Sequence, residues 1–220
     1  MPLHIGLIVN PLAGLGGSRG FKGSDGDDIR ALAGQLPQEE LQRSQERAAR
    51  ALAYLAQEPG LRISTWGGAM GEWVCKRLGL SAAVLGAPSV ELPGAADTRE
   101  AASVLRNARV DVLVFAGGDG TARDICDAVA QSLPVLGIPA GVKMHSGVFA
   151  VSPEAAGELL RELSRGGLVG LRSQEVRDID EEAFRHDVVR SRFYGDMQVP
   201  GEGRYLQHTK VGGRESHELV

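Results

Sequence analysis

The sequence predicts an α/β protein in which a parallel sheet is flanked by helices, followed by the start of a smaller β-rich segment. Three observations lead there. Apolar runs alternate with amphipathic stretches, the order in which strands and their covering helices arrive in a parallel sheet. Thirty glycines among 220 residues are too many for a helical bundle and suit a fold with many strand-to-helix turns. Residues 112–121 read Val-Leu-Val-Phe-Ala-Gly-Gly-Asp-Gly-Thr, a fully buried strand by pattern that ends in a glycine turn carrying one carboxylate and one hydroxyl.

In chain order, residues 4–9 form the first strand. Its exit, residues 10–28, is long and glycine-rich for a strand-to-helix connection, which favours a functional loop over a mere connector. Residues 37–57 read as a helix, with Glu39 and Glu40 in its first turn, Leu41, Ala48, Leu52 and Leu55 on a common face, and Gly60 at its end. Further strands are predicted at 61–66, 82–85, 110–115 and 135–138, with helices at 70–78 and 97–107 between them. Asp97 is placed as the N-cap of the second of these, with Glu100 completing a capping box, so both acids have a structural role. The helix after the glycine turn is predicted over 121–130, with Ile125 and Val129 facing the sheet. Ser152 caps and Pro153 opens a last helix through Arg165, which Gly166 and Gly167 stop. From residue 168 the pattern turns extended and continuous apolar runs disappear.

The glycine turn carries most of the chemistry. Gly117, Gly118 and Gly120 let backbone N–H groups approach an anion without Cβ interference, and Thr121 opens a helix whose N-terminus attracts phosphate. Asp119 is the odd member, because a carboxylate beside a phosphate is repelled unless Mg2+ or a proton in transit justifies it. That combination points to phosphoryl transfer. Arg123 in the same first turn opposes the helix dipole, and a nearby phosphate would relieve it. Asp124 and Asp127 read as dipole partners rather than metal ligands, His145 as a hydrogen-bonded loop residue, and Trp66 and Trp73 as packing residues, with Trp66 placed where it could border a cleft.

Composition limits the alternatives. A net charge of −4 and a pI near 5.8 give no general attraction to nucleic acid or an anionic membrane, so any phosphate must be held locally. Cys75 and Cys126 are far apart and lack metal-ligand spacing, so they read as reduced thiols. No signal-like start and no run long enough to span a bilayer is present in the sequence, and the expected compartment is the cytoplasm.

The turn Gly117-Gly118-Asp119-Gly120-Thr121 resembles the signature shared by ATP-NAD kinases and by the diacylglycerol and sphingosine lipid kinases. Three further segments support the resemblance. Asn10-Pro11-Leu12-Ala13-Gly14-Leu15-Gly16-Gly17 is similar to the element that follows the first strand in that superfamily, and Pro134 to Gly141 to its third nucleotide-side loop. The stretch Gly20 to Gly26, with Gly68-Ala69-Met70-Gly71-Glu72, resembles the ATP-NAD kinase family branch that includes the acetoin-catabolism protein X.

The resemblance implies an NAD kinase-like N-terminal domain and ATP-dependent transfer of a phosphoryl group to a hydroxyl of NAD or a related small metabolite. Asp119 would be catalytic. Asn10, Gly14, Gly16, Gly17, Gly117, Gly118, Gly120, Thr121 and Gly141 would line the nucleotide phosphates, with Lys143 either a phosphate cation or a solvated loop lysine. ATP and Mg2+ would be the cofactors, the metal ligands being unknown. NAD is the first-choice acceptor, homo-oligomers are plausible, and no nucleic acid or membrane partner is implied. A lipid kinase of the same superfamily and a nucleotide-binding regulatory protein without turnover are the alternatives. Residues 1–167 are expected to form the α/β nucleotide-binding domain. Residues 168–220 are expected to begin a second, β-rich domain, truncated because nothing there resembles the family's Thr-Pro-Thr-Gly-Ser-Thr-Ala-Tyr segment or a downstream Asn-Glu adenine-binding pair.

Overall fold

The computed structural model describes residues 2–14, 42–141, 144–167, 170–179, 191–201 and 204–207. Within them, five parallel strands, β1 (His4–Val9), β2 (Arg62–Thr65), β3 (Ala83–Val84), β4 (Val112–Gly117) and β5 (Val135–Pro139), lie in the order β3-β2-β1-β4-β5. Every residue of β1, β4 and β5 is buried. These strands are therefore apolar on both faces and show no alternation. Helices α1 (Arg43–Leu52), α2 (Glu72–Arg77), α3 (Ala95–Asn107), α4 (Asp119–Val129) and α5 (Pro153–Ser164) complete this part. The helix α1 packs on α5, and α3 on α4.

β1 is hydrogen-bonded to β2 on one side and to β4 on the other, so the connections leaving β1 and β4 run in opposite directions along the sheet. Open α/β sheets bind ligands in the crevice at such a point, outside the carboxyl ends of the strands. Register makes the crevice level. Val9 faces Ala116 and Gly117 faces Pro139, so β1, β4 and β5 end side by side.

Two long strands follow, β6 (Leu171–Ile179) and β7 (Ser191–Pro200), paired antiparallel. They pack on α4 and β5, burying Val176, Met197 and Val199. The segment 144–150 stitches this ribbon to the parallel sheet. Phe149 bridges to Gly137 of β5, Ala150 bridges to Leu206, and the Gly147 N–H donates to the Glu175 carbonyl at 2.9 Å.

Several predicted boundaries move for identifiable reasons. Gly118 has extended dihedrals (φ −122°, ψ −166°) and takes the N-cap place, so α4 begins at Asp119, two residues before Thr121. At α3, Gly94 is the N-cap and Asp97 stands at the third helical position, not at the cap. Its Oδ2 accepts from the Gly94 N–H at 2.9 Å and its Oδ1 from the Ser89 N–H at 3.2 Å, while Glu100 is exposed. The helix predicted at 70–78 is split, because Gly71 adopts φ 145° between a single turn at Gly68–Met70 and α2. Ala48, Leu52 and Leu55 share the buried face expected of them, and Leu41 lies outside the described residues. Ser152 caps α5 as expected, its Oγ accepting from the Ala155 N–H at 3.1 Å.

Reassigning Asp97 changes which substitution matters. Asp97→Ala removes a capping acceptor and leaves the Gly94 and Ser89 N–H groups without their partner, and should cost about 1 to 2 kcal/mol in urea unfolding. Glu100→Ala should stay within about 0.5 kcal/mol of wild type, as surface substitutions do.

Candidate active site

The crevice is assembled by side chains that reach between strand exits. Asn10, the first residue after β1, donates from Nδ2 to Thr121 Oγ1 at 2.9 Å and accepts the Leu12 N–H at 3.0 Å on Oδ1. Its own N–H donates to the Ala116 carbonyl at 2.9 Å. An amide supplies a donor and an acceptor on two separate atoms of one short side chain, which an ionised carboxylate or a hydroxyl does not. The first loop is thereby fastened to the first turn of α4.

Gly14 brings in the third exit. It adopts φ 87°, and a methyl group there would lie 2.6 Å from the Ala140 carbonyl oxygen, so both its conformation and its contact require glycine. Across the crevice, Ala140 and Gly141 donate their N–H groups to the Gly117 carbonyl at 2.9 and 3.2 Å. Gly117 carries no positive φ, and its need is steric, since a methyl there would overlap Thr121. Gly118 faces Gly141, whose Cα stands 3.5 Å from where a Gly118 methyl would be. Asn10, Gly14, Gly117, Gly118, Gly120, Thr121 and Gly141 thus stand on three adjacent exits, as the sequence predicts. Gly16, Gly17 and Lys143 lie outside the described residues.

Asp119 occupies the first helical position of α4, where a carboxylate is favoured by the dipole. It is buried and held by the loop that follows β5. Oδ1 accepts from the Ser146 hydroxyl at 2.6 Å and the Ser146 N–H at 3.1 Å. Oδ2 accepts from the His145 N–H at 2.8 Å, with His145 Nδ1 at 3.3 Å, the latter a donor only in one tautomer or when protonated. His145 is therefore a loop residue bonded to the signature carboxylate.

Ser146 is the residue that sequence reasoning missed, and nothing in its spacing marks it. Its hydroxyl accepts the Arg177 N–H of β6 at 3.0 Å and stands 3.1 Å from the Arg177 carbonyl. One hydroxyl proton cannot serve both oxygens. The shorter, charge-assisted bond to Asp119 takes it, so Ser146 links the carboxylate to the backbone of the ribbon.

Other polar residues near α4 have protein partners. Arg123 needs no phosphate to offset the helix dipole, since Asp178 of β6 meets it at 2.9 Å and Asp124 at 3.5 Å. Asp124, 2% exposed, also pairs with Arg99 of α3 at 3.0 Å, which makes it an ion-pair residue rather than a simple dipole partner. Asp127 accepts the Tyr194 hydroxyl at 2.6 Å. Among the described residues no group of three or more His, Cys, Asp or Glu side chains forms a metal site. Trp66 is buried in the core, whereas Trp73 is 56% exposed and does not pack there. Cys75 and Cys126 are buried free thiols, and burial pushes Cys75 up to about 11.

The family model of the ATP-NAD kinase N-terminal domain matches residues 5–168 of this chain, the span from β1 through the end of α5. No curated protein and no solved structure matches it.

Ser146→Ala removes a bond from Asp119 and leaves the Arg177 N–H unpaired, which should cost about 1 to 3 kcal/mol. Amide exchange at Arg177 should accelerate, while the Ala122 amide inside α4 keeps its protection. A Cys75 thiol at about 11 exposes only about one thiolate in a thousand at pH 8, so thiol reagents should label it only on unfolding. The raised value also means that its contribution to stability is complete below the unfolded thiol's pKa near 9 and declines as pH rises towards 11, which alkaline unfolding curves would show.

Proposed function

Because the chain belongs to the ATP-NAD kinase family, we propose that it transfers a phosphoryl group from ATP to a hydroxyl of NAD or a related small metabolite. The observation that carries this reading is the meeting of three strand exits around Asp119 on the first turn of α4. ATP would lay its phosphates along Asn10, Gly14, Gly117, Gly118, Gly120, Thr121 and Gly141. The N–H groups of the first turn of α4 have no carbonyl a turn earlier to bond and point at that anion. Gly16, Gly17 and Lys143 join the site on the strength of sequence alone.

Asp119 would orient the acceptor hydroxyl and take its proton as the oxygen bonds to the γ-phosphorus and ADP departs. The second lone pair of Oδ2, left open when His145 Nδ1 carries no hydrogen, is the place for that hydrogen bond, since Oδ1 is occupied by Ser146. The donors from His145 and Ser146 would keep the carboxylate from swinging away, so that positioning rather than strong basicity is its contribution. Mg2+ bound with ATP would neutralise phosphate charge. Magnesium commonly takes few protein carboxylates and several phosphate oxygens, and Asp119 is the described carboxylate of the turn that fits such a role.

The same anchoring of Asp119 by His145 and Ser146 favours one second reading, a nucleotide-binding protein that keeps the fold without turnover. In that case the carboxylate serves only to anchor the loop after β5. No described helix is long and apolar enough to cross a membrane, and a soluble dinucleotide remains the first acceptor to try.

NADP formation from Mg2+, ATP and NAD by wild type and Asp119→Asn separates the readings. The variant should lose about a hundredfold to ten-thousandfold in kcat while its ATP dissociation constant stays within a few fold. Equal turnover by the two proteins would sink the catalytic role, and ATP binding without any product would favour the regulatory reading.

A further inference from the structure

Helix α1 carries Arg43, Arg47 and Arg50 on one stripe, at the spacing that makes helix residues neighbours. Arg50 has a carboxylate, Glu154 of α5, at 2.6 Å. Among the described residues Arg43 and Arg47 have none in contact. Arg47 gives Nη1 to the neutral carbonyl of Pro139, the last residue of β5, at 3.1 Å. Its burial, together with the like charges of Arg50 and Arg43, lowers its pKa from the ordinary guanidinium value.

The first turn of α1 is short of partners in other ways. Arg43 holds the first helical position, where a cation opposes the dipole. Gln42 precedes it with helical dihedrals and no capping side-chain bond. Ser44, the next residue, is fully buried and its hydroxyl has no hydrogen-bond partner. An oxyanion placed between Arg43 and Arg47 would meet two guanidinium groups at once.

The place of this turn is fixed by contact. Arg43 Cδ lies 3.4 Å from where a methyl on Gly14 would be, against the same Gly14 that rests on the Ala140 carbonyl. Arg47 reaches the preceding residue, Pro139. The arginines therefore border the crevice on the side of the first and third exits.

We propose that Arg43 and Arg47, with the first turn of α1, form a second anion subsite that holds a phosphate of a nucleoside polyphosphate. This rests on the reading of the crevice as a nucleotide site and adds a cationic wall to it. The glycine exits supply N–H donors but no full positive charge, whereas a polyphosphate brings several negative ones. Arginine is suited to the task because its planar fork grips phosphate oxygens two at a time.

Calorimetric titration with inorganic tripolyphosphate, ATP and adenosine tests this on the full chain, comparing wild type with Arg43→Gln and Arg43→Glu. Arg43 is exposed and has no carboxylate among the described residues to strand, so both variants should fold with a Tm close to wild type. Tripolyphosphate and ATP should each bind about tenfold more weakly to Arg43→Gln, and more weakly still to Arg43→Glu. Adenosine, which has no phosphate, should be indifferent to both. A wild type that fails to bind tripolyphosphate, or an Arg43→Glu variant that binds it as well as wild type, would overturn the subsite. Arg47→Lys gives an independent reading, since it keeps the charge and removes the fork: a loss smaller than that of Arg43→Glu supports the arrangement, and tighter tripolyphosphate binding contradicts it. Because no turnover is measured, failure of the kinase reading would not alter these outcomes.

Discussion

Pairing of β1 with β4 decides where the rest of this protein can stand. Those two strands are separated by about a hundred residues, yet they lie hydrogen-bonded with Val9 opposite Ala116. Only that pairing lets Asn10 reach Thr121 and lets the two exits open into one crevice. β5 then extends the row, and its register against β4 brings Ala140 within contact of Gly14. Buried parallel strands suit this task because they have little freedom to slip, each being apolar on both faces and covered by helices.

Asp119 is where stability and chemistry compete for the same atoms. A carboxylate at a helix start is comfortable without any ligand, and the loop after β5 adds donors to both of its oxygens. The arrangement leaves only a small part of the carboxylate available to a substrate. It also makes the position of Asp119 depend on Ser146, whose hydroxyl is in turn held by the Arg177 N–H of β6. A shift of the ribbon would be felt at the carboxylate through two hydrogen bonds, with no need for a long path of coupled side chains.

Much of this was legible in the sequence, and the failures are informative. The buried strands were readable because both faces are apolar, and Ser152-Pro153 because a cap and a first-turn proline have a fixed geometry. The glycine turn and the Asn10 loop were legible as a candidate site because glycines, an amide and a lone carboxylate at strand exits suit an anion far better than they suit a core. Asp97 was misplaced by three helix positions because an acid satisfies the helix start equally well at the cap and at the third residue. Arg123 pointed to a phosphate only while Asp178 was distant in sequence, and tertiary pairing supplied the anion. Ser146, Arg43 and Arg47 gave no signal at all. A serine in a loop and arginines on an amphipathic helix are ordinary until packing shows what surrounds them.

The glycines of the signature turn also divide their labour in a way that residue type alone does not reveal. Gly117 makes room for Thr121, and the lack of a side chain on Gly141, where a methyl would lie 3.1 Å from Gly118 Cα, lets the two exits approach; none of the three uses a left-handed conformation. What they create is closeness: the β5 exit, its Ala140 and Gly141 N–H groups spent on the Gly117 carbonyl, leaves a narrow space over the first turn of α4, whose N–H groups have no carbonyl a turn earlier. Such a space concentrates partial positive charge in a protein whose net charge is −4. Partial charges of this kind fall off within a turn of their helix, and Asp119 at the centre opposes them with a full negative one. A polyphosphate held against Asp119 would therefore gain from full positive charge outside the turn, beside that of the Mg2+ it brings. Arg123 is committed to Asp178 and Asp124, and Arg99 to Asp124. Among the described arginines that border the crevice, Arg43 and Arg47 are the pair without a carboxylate in contact, which is the ground for proposing the subsite on α1 rather than on the signature helix.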